Sequence, residues 1–381
     1  MRTDQIPIVV ITGFLGSGKT TLLQRLLDLP GFADTAVLIN ELGEIAIDHV
    51  LVRHVQENIV VLANGCLCCA VRDDLGKSLR DLLARRARCE IGFSRVVIET
   101  TGLADPSPIL HTLMTDPVID SALGISAVVA TVDAISGNAN LDRESETLKQ
   151  VALADHIVLT KTDIAGSTSV DELAARLRRI NPAANIRNAA AREFAPAALL
   201  SGGAWDASRV AMDAAQWPRH LPPHMTGDRH HEAVAAHSFV VDEPLDWTGF
   251  AVWLTMLLHS HGSNVLRVKA LLNVEGVRRG PVVLHGVQHF VHPPKHLDRW
   301  PDADTRSRLV FITRGITGEA IATSLRAFSR TAERMRKAPD PVPAIIPGLA
   351  GTEIGGRPVR RTPGLAWMKR AVMIAPSDSV D

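Results

Sequence analysis

A doubly wound parallel α/β sheet followed by a smaller α+β domain is the architecture predicted by this 381-residue sequence, and three observations predict it. The first half alternates short β-branched runs with helical patterns. A glycine-rich turn, Gly13-Phe14-Leu15-Gly16-Ser17-Gly18-Lys19-Thr20, joins the first such strand to the first such helix. After a Pro- and His-rich break the order changes, and strands follow one another directly.

In the first half the expected strands are Ile8–Ile11, Ala36–Asn40, Ile59–Ala63, Arg95–Glu99, Ser126–Val132 and His156–Thr160. They are almost wholly apolar, as strands covered on both faces must be. The expected helices between them are Lys19–Asp28, Arg72–Arg86, Glu144–Ala154 and Val170–Ile180. Strand and helix in alternation wind a parallel sheet with helices on both sides. This domain is expected to fill residues 1–217. Residues 218–232 hold Pro218, Pro222, Pro223, His220, His224, His230 and His231, a composition that reads as a linker. Residues 233–330 then run strand Ala235–Val241, helix Trp247–His259, strands Val265–Asn273, Val282–Gln288 and Leu309–Thr313, and helix Gly318–Ser329. Strands adjacent in order imply an antiparallel sheet with helices on one face. Residues 331–381, rich in Pro, Gly and Arg, are expected to be a disordered tail.

Composition narrows the function. Acidic and basic side chains balance at 41 each, so neither nucleic acid nor an anionic membrane is the expected partner. No apolar run reaches membrane-spanning length, and Met1–Gln5 leads straight into the first strand without a signal-peptide core. The expected location is cytoplasmic. Three of the four cysteines, Cys66, Cys68 and Cys69, crowd into one turn. Neighbours that close rarely form structural disulfides, and in a cytosolic protein such a cluster reads as metal-binding or redox chemistry.

Residues 13–20 satisfy G-x-x-x-x-G-K-[ST] in full, between a strand and a helix. Glycines let backbone N–H groups wrap an anion, and the following helix adds the positive end of its dipole. Gly13, Gly16, Ser17, Gly18, Lys19, Thr20 and Thr21 form the expected phosphate set, with Lys19 on the β- and γ-phosphates and the Thr20 hydroxyl on Mg²⁺. Glu99 ends a neighbouring strand, where nucleotide-hydrolysing folds of this kind place an acid to orient the Mg²⁺ shell. Gly102 follows, with its N–H toward the γ-phosphate. Farther on, Thr160-Lys161-Thr162-Asp163 resembles the N-K-x-D guanine motif with Thr160 in place of Asn. Asp163 can accept from both N1–H and the exocyclic amine of guanine, a pair that adenine does not offer. The Lys161 stem can pack on the base plane. GTP is therefore the expected nucleotide.

Gly65-Cys66-Leu67-Cys68-Cys69 lies between these two phosphate motifs. Thiolates suit soft ions such as Zn²⁺, and three from one turn leave a fourth position for another group. Cys66 and Cys69 also have redox C-x-x-C spacing. Together with Gly13–Thr21, Asn40-Glu41-Leu42-Gly43-Glu44, Glu99–Pro106 and Thr160–Asp163, this element resembles the CobW-type P-loop GTPases over roughly residues 6–330. That family includes zinc metallochaperones, CobW proteins of the cobalamin pathway and nitrile hydratase activators. The resemblance implies GTP hydrolysis and metal delivery to a client metalloprotein, with Glu41 or Glu44 completing the cysteine site. Zn²⁺ is the metal implied first, with Co²⁺ or Fe²⁺ for a nitrile hydratase or cobalamin-pathway client as the alternative. A small-molecule kinase and a non-catalytic metal sensor are the alternatives from other classes. His237 is grouped with the linker histidines as a weak metal store, and His285 and His289 read as strand positions.

Overall fold

A computed structural model of the chain describes residues 5–30, 32, 34–40, 59–62, 70–200, 234–277 and 279–337. The first domain runs β1 (Ile6–Gly13), α1 (Lys19–Leu27), β2 (Thr35–Asn40), β3 (Ile59–Leu62), α2 (Ala70–Ala87) and β4 (Arg95–Glu99). It continues with α3 (Ser107–Thr115), α4 (Pro117–Ala122), β5 (Leu123–Asp133), α5 (Gly137–Arg143), α6 (Ser145–Leu153), β6 (His156–Thr160), α7 (Ser167–Ile180) and β7 (Asn185–Asn188). The described strands pair in the order β3-β2-β4-β1-β5-β6-β7, every pair parallel. β1 shows how one strand serves two cores. Ile8 and Val10 pack with Leu75, Leu79 and Leu110 on one face, while Val9 and Ile11 pack with Leu22, Leu23 and Leu26 on the other, as the two-residue period of a strand requires.

The expected strands of this domain are all present. α3, α4, α5 and β7 are additions to the expected list, all short. α3 and α4 begin at Pro-containing turns, where proline's fixed φ suits a first helical position. Asp116 caps α4 by accepting from the N–H groups of Val118 and Ile119.

The second domain has β8 (Val234–Val241), α8 (Trp247–His261), β9 (Val265–Leu272), β10 (Val282–Val287), β11 (Phe290–Val291), β12 (Lys295–His296), β13 (Ser307–Arg314) and α9 (Gly318–Lys337). Its described strands form an antiparallel sheet in the order β11-β10-β9-β13-β8, with β12 alongside β10. α8 and α9 cover one face through Phe250, Trp253, Leu254, Ile321 and Leu325, packed on Val268, Ala270, Leu309 and Phe311. α9 continues past the expected end at Ser329, so residues 331–337 of the expected tail are helical. No glycine or proline interrupts the helix before Pro339. His237, within the expected strand Ala235–Val241, lies in β8, its Nε2 3.1 Å from Thr313 Oγ1 and 3.0 Å from the Ile316 carbonyl. His289 sits in the turn between β10 and β11 rather than in a strand. The expected linker, 218–232, lies outside the described residues.

The other face of the second sheet rests on the first domain. Leu271, Val283 and Val310 pack on Ala183, and Ala236, Leu266 and Ile312 pack on Ala152. Within this apolar contact the Asp155 carboxylate, just before β6, pairs with Arg267 and, at 3.2 Å, with Lys269, both from β9. All three side chains are at most 4% exposed. Burial works against the charged Asp155, but the two cations and the Val128 N–H outweigh it and hold its pKa far below the usual carboxylate range. A buried pair of this kind adds little over an apolar contact, but removing one partner leaves uncompensated charge at a cost of about 3–5 kcal/mol. Asp155→Asn should therefore lower the free energy of unfolding by that order at pH 7, seen as a lower urea midpoint. Because the folded pKa is depressed, the contribution is complete above the unfolded value of about 3.9 and is lost as pH falls below it. The gap between wild type and Asp155→Asn, read in urea titrations, should be full near neutrality, begin to narrow only below about pH 4, and keep narrowing as pH falls toward the depressed folded value.

Candidate functional site

The loop after β1 is shaped for an anion. Gly13, Gly16 and Gly18 have φ of 141°, 68° and 93°, and a turn that mixes such residues with right-handed ones can curl backbone N–H groups into an anion-holding concavity. At Gly13 a Cβ would lie 2.3 Å from Thr131 Oγ1, so no side chain fits. Ser17 Oγ and Thr131 Oγ1 share a 2.6 Å hydrogen bond that fixes the loop to β5. α1 begins at Lys19, and its cap, Gly18, offers no side chain to the first-turn N–H groups. Those donors and the helix dipole are available to phosphate. Lys19 is buried, and its Nζ donates to the carbonyls of Gly13 and Phe14 at 3.0 Å each. Thr21, also expected in the phosphate set, is exposed on α1.

β4 lies beside β1 with Glu99 opposite Ile11. That register brings the Thr20 hydroxyl to 2.7 Å from Glu99 Oε1, to which it donates. Glu99 is 3% exposed. A hydroxyl beside a carboxylate is the hard-oxygen donor set that Mg²⁺ takes, so these two residues fit the ion that the motif implies. Beyond Glu99 the chain returns to the phosphate loop at Gly102, where a Cβ would sit 2.6 Å from the Leu15 nitrogen.

β6 delivers the third motif. Its last residue, Thr160, donates its hydroxyl to the Ser17 carbonyl at 2.7 Å. The threonine that replaces Asn thus straps this turn to the phosphate loop. Lys161 has φ of 55°, an uncommon conformation for a side-chain-bearing residue, and its Nζ lies 2.7 Å from Asp133 Oδ2. Asp133 ends β5 and is 5% exposed. Its Oδ1 accepts from the N–H groups of Ile135 and Ser136, and its Oδ2 from the Ser136 hydroxyl. Burial raises the Asp133 pKa, but Lys161 and these donors prevail and hold it below the ordinary range. The Thr162 hydroxyl donates to Asn188 Oδ1 at 2.5 Å, bracing the turn on β7. Asp163 is exposed, two residues beyond Lys161.

The structure thus brings together Gly13–Thr20, Glu99, Gly102 and Thr160–Lys161 at the carboxyl ends of neighbouring parallel strands, where open α/β sheets hold ligands. Cys66, Cys68, Cys69, Glu41 and Glu44 lie outside the described residues. Among the described residues no group of three His, Cys, Asp or Glu is arranged to hold a metal ion. Sequence reading missed Asp133, Thr131 and Asn188. Asp133 carried a usable signal, since an acid directly after the Val128–Val132 run marks a strand end on the ligand side.

If Asp133 acts by holding Lys161, then Asp133→Asn and Lys161→Met should each weaken guanine nucleotide binding about tenfold, or ~1.4 kcal/mol. The double variant should be no worse than either single one, as expected for residues acting as one unit. Calorimetric titration of GDP checks this, and additive losses would separate the two residues.

Residues 7–188 match the family described as CobW/HypB/UreG, nucleotide-binding domain, and residues 234–329 match the cobalamin synthesis protein cobW C-terminal domain. Zinc chaperone YjiA of Escherichia coli is 32% identical over 310 residues, covering 81% of this chain and 94% of the relative. Zinc chaperone CobW of Pseudomonas aeruginosa is 30% identical over 361 residues, covering 84% and 91%. The crystal structure of the Zn(II)-bound YjiA GTPase from E. coli superposes with a TM-score of 0.63 at 26% identity, over 86% of this chain and 99% of that one. A triple variant of YjiA, with one glutamate and two cysteines replaced by alanine, has also been crystallised with zinc bound. Among the described residues no helix is long and apolar enough to cross a membrane. Matched in both its domains, and along most of its length by these relatives, the chain belongs to the CobW family.

Proposed function

We propose that this chain is a GTP-hydrolysing zinc chaperone. It binds GTP with Mg²⁺ at residues 13–21, Glu99, Gly102 and 160–163, carries Zn²⁺ on Cys66, Cys68 and Cys69 with Glu41 or Glu44, and passes the ion to a client metalloprotein. One observation carries the nucleotide half: the 2.7 Å bond from Thr160 to the Ser17 carbonyl, which joins a guanine-type motif to a phosphate loop as one rigid unit. The relatives that cover most of the chain support the zinc half, being zinc chaperones.

The residues divide the work by charge. The first turn of α1 and the Lys19 ammonium meet the phosphates, neutralising charge that develops during transfer. Thr20 and Glu99 hold the Mg²⁺ shell, and bound Mg²⁺ supplies further neutralisation of the β- and γ-oxygens. Asp163 accepts from the guanine edge, and Lys161, steadied by Asp133, packs along the base. In sequence the cysteines follow β3, which ends the order of the described strands in that sheet. GTP-dependent ordering of the segments carrying Glu41 and the cysteines, relaxed after hydrolysis, is the step that would release zinc.

Lys19→Ala should abolish hydrolysis while leaving the circular dichroism spectrum unchanged; a normal rate would remove Lys19 from the site. Wild type should prefer GDP to ADP by orders of magnitude, and Asp163→Asn should erode that preference, because an amide cannot accept both guanine protons. Equal affinity for the two nucleotides would contradict the base site. Cys66→Ser, Cys68→Ser and Cys69→Ser combined should strongly weaken zinc binding against a chromophoric chelator. Unchanged affinity would move the ion to other ligands.

A further inference from the structure

We propose that Gln150 is a positioning residue for GTP hydrolysis, holding the loop that meets the γ-phosphate; the proposal rests on the reading of Gly102 given above. Gln150 lies in the last turn of α6 and is 1% exposed. Its Nε2 donates to the carbonyls of Gly102, at 3.2 Å, and Ala104, at 3.0 Å. Only the nitrogen of a carboxamide can donate to carbonyls, so the two bonds fix its orientation. Oε1 has no hydrogen-bond partner among the described residues, so the bonds to the loop are the polar contacts that hold this side chain. The neighbouring Lys149 adds a second tie, its Nζ 3.1 Å from the Asp105 carboxylate.

At its other end the same loop is fixed to the phosphate strand. The Thr100 N–H donates to the Ile11 carbonyl at 2.9 Å, and the Thr100 hydroxyl donates to Thr12 Oγ1 at 3.0 Å. Between these anchors Gly102 is pressed against Leu15 so closely that a methyl group has no room. A loop held at both ends and in contact with the phosphate-binding backbone has its position set by its anchors. The peptide after Gly102 is the part that Gln150 governs.

The anchor is rigid, as a positioning group must be. Just beyond Gln150, the buried Asn181 donates its Nδ2 to the carbonyls of Val151, Ala152 and Ala154 at 2.8, 3.2 and 2.9 Å. The Asp155 N–H donates to the Val128 carbonyl at 2.7 Å. Ala152 is packed on the second domain, whose Arg267 and Lys269 grip Asp155. The end of α6 is therefore immobilised from three sides, and Gln150 transmits that immobility to the loop.

Gln150→Met in the full chain tests this, since methionine keeps the length and packing but has no N–H. The expected result is a fall in kcat for GTP of about 10- to 100-fold, the scale of a misplacement near 1 Å. KM for GTP and affinity for GDP, which lacks the γ-phosphate, should stay within about threefold, the mark of an interaction that acts in the transition state alone. An unchanged kcat, or GDP affinity falling in step with kcat, overturns the proposal. Gly102→Ala is the companion variant. Hydrolysis lost in Gly102→Ala but intact in Gln150→Met removes Gln150 alone. Hydrolysis unaffected by Gly102→Ala overturns the loop reading on which the proposal stands.

Discussion

A carboxylate sealed between two domains is the constraint on which the rest of the molecule hangs. Asp155 has no access to bulk water, and two cations from the second domain converge on it. A charge so placed is tolerable only if its partners stay in position, so the docking of the two domains and the placement of residues 150–163 become one condition. That short segment carries Gln150 under the Gly102 loop, Asp155 in the interface, and Thr160 and Lys161 at the base turn. Local shifts in any of these would have to be accommodated by the interface or by the strands that flank β6.

Strand order does the remaining assembly. β1 lies between β4 and β5, and β6 is next in line. The phosphate loop, Glu99, Asp133 and Thr160 therefore emerge from four neighbouring strands, although they are far apart in sequence. The bonds between them are short and buried or part-buried: Thr20 to Glu99, Ser17 to Thr131, Thr160 to Ser17, Lys161 to Asp133. A site built on strand ends in this way is preorganised by the core beneath it.

The parts of this arrangement that sequence revealed are those in which backbone chemistry is local. A loop with three positive-φ glycines must be written with glycine, and a buried parallel strand must be written with apolar residues, so the phosphate loop and the main strands were legible. Thr160–Asp163 was legible as a motif, but the job of its odd threonine was not, because the Ser17 carbonyl it reaches is 143 residues away. Arg267 and Lys269 alternate with apolar residues along β9, and nothing in that pattern marks them as buried; they are buried because the first domain covers that face. His237 lay inside the expected strand Ala235–Val241, but its hydrogen bonds to Thr313 and the Ile316 carbonyl appear only once β13 is paired beside β8. Gln150 and Asp133 are ordinary polar residues until the fold supplies the loop and the lysine they hold.

In the proposed function, nucleotide and metal occupy one coupled device rather than two independent sites. Coupled binding is reciprocal, with energies typically about 1–3 kcal/mol, or roughly 5- to 150-fold in affinity. The most direct test is competition for Zn²⁺ between the protein and a chromophoric chelator, measured without nucleotide, with GDP and with a non-hydrolysable GTP analogue. Zinc affinity should differ between the GDP and GTP-analogue states by a factor in that range, with the reciprocal shift in nucleotide affinity when zinc is present. Identical zinc affinity in all three states would contradict the coupling.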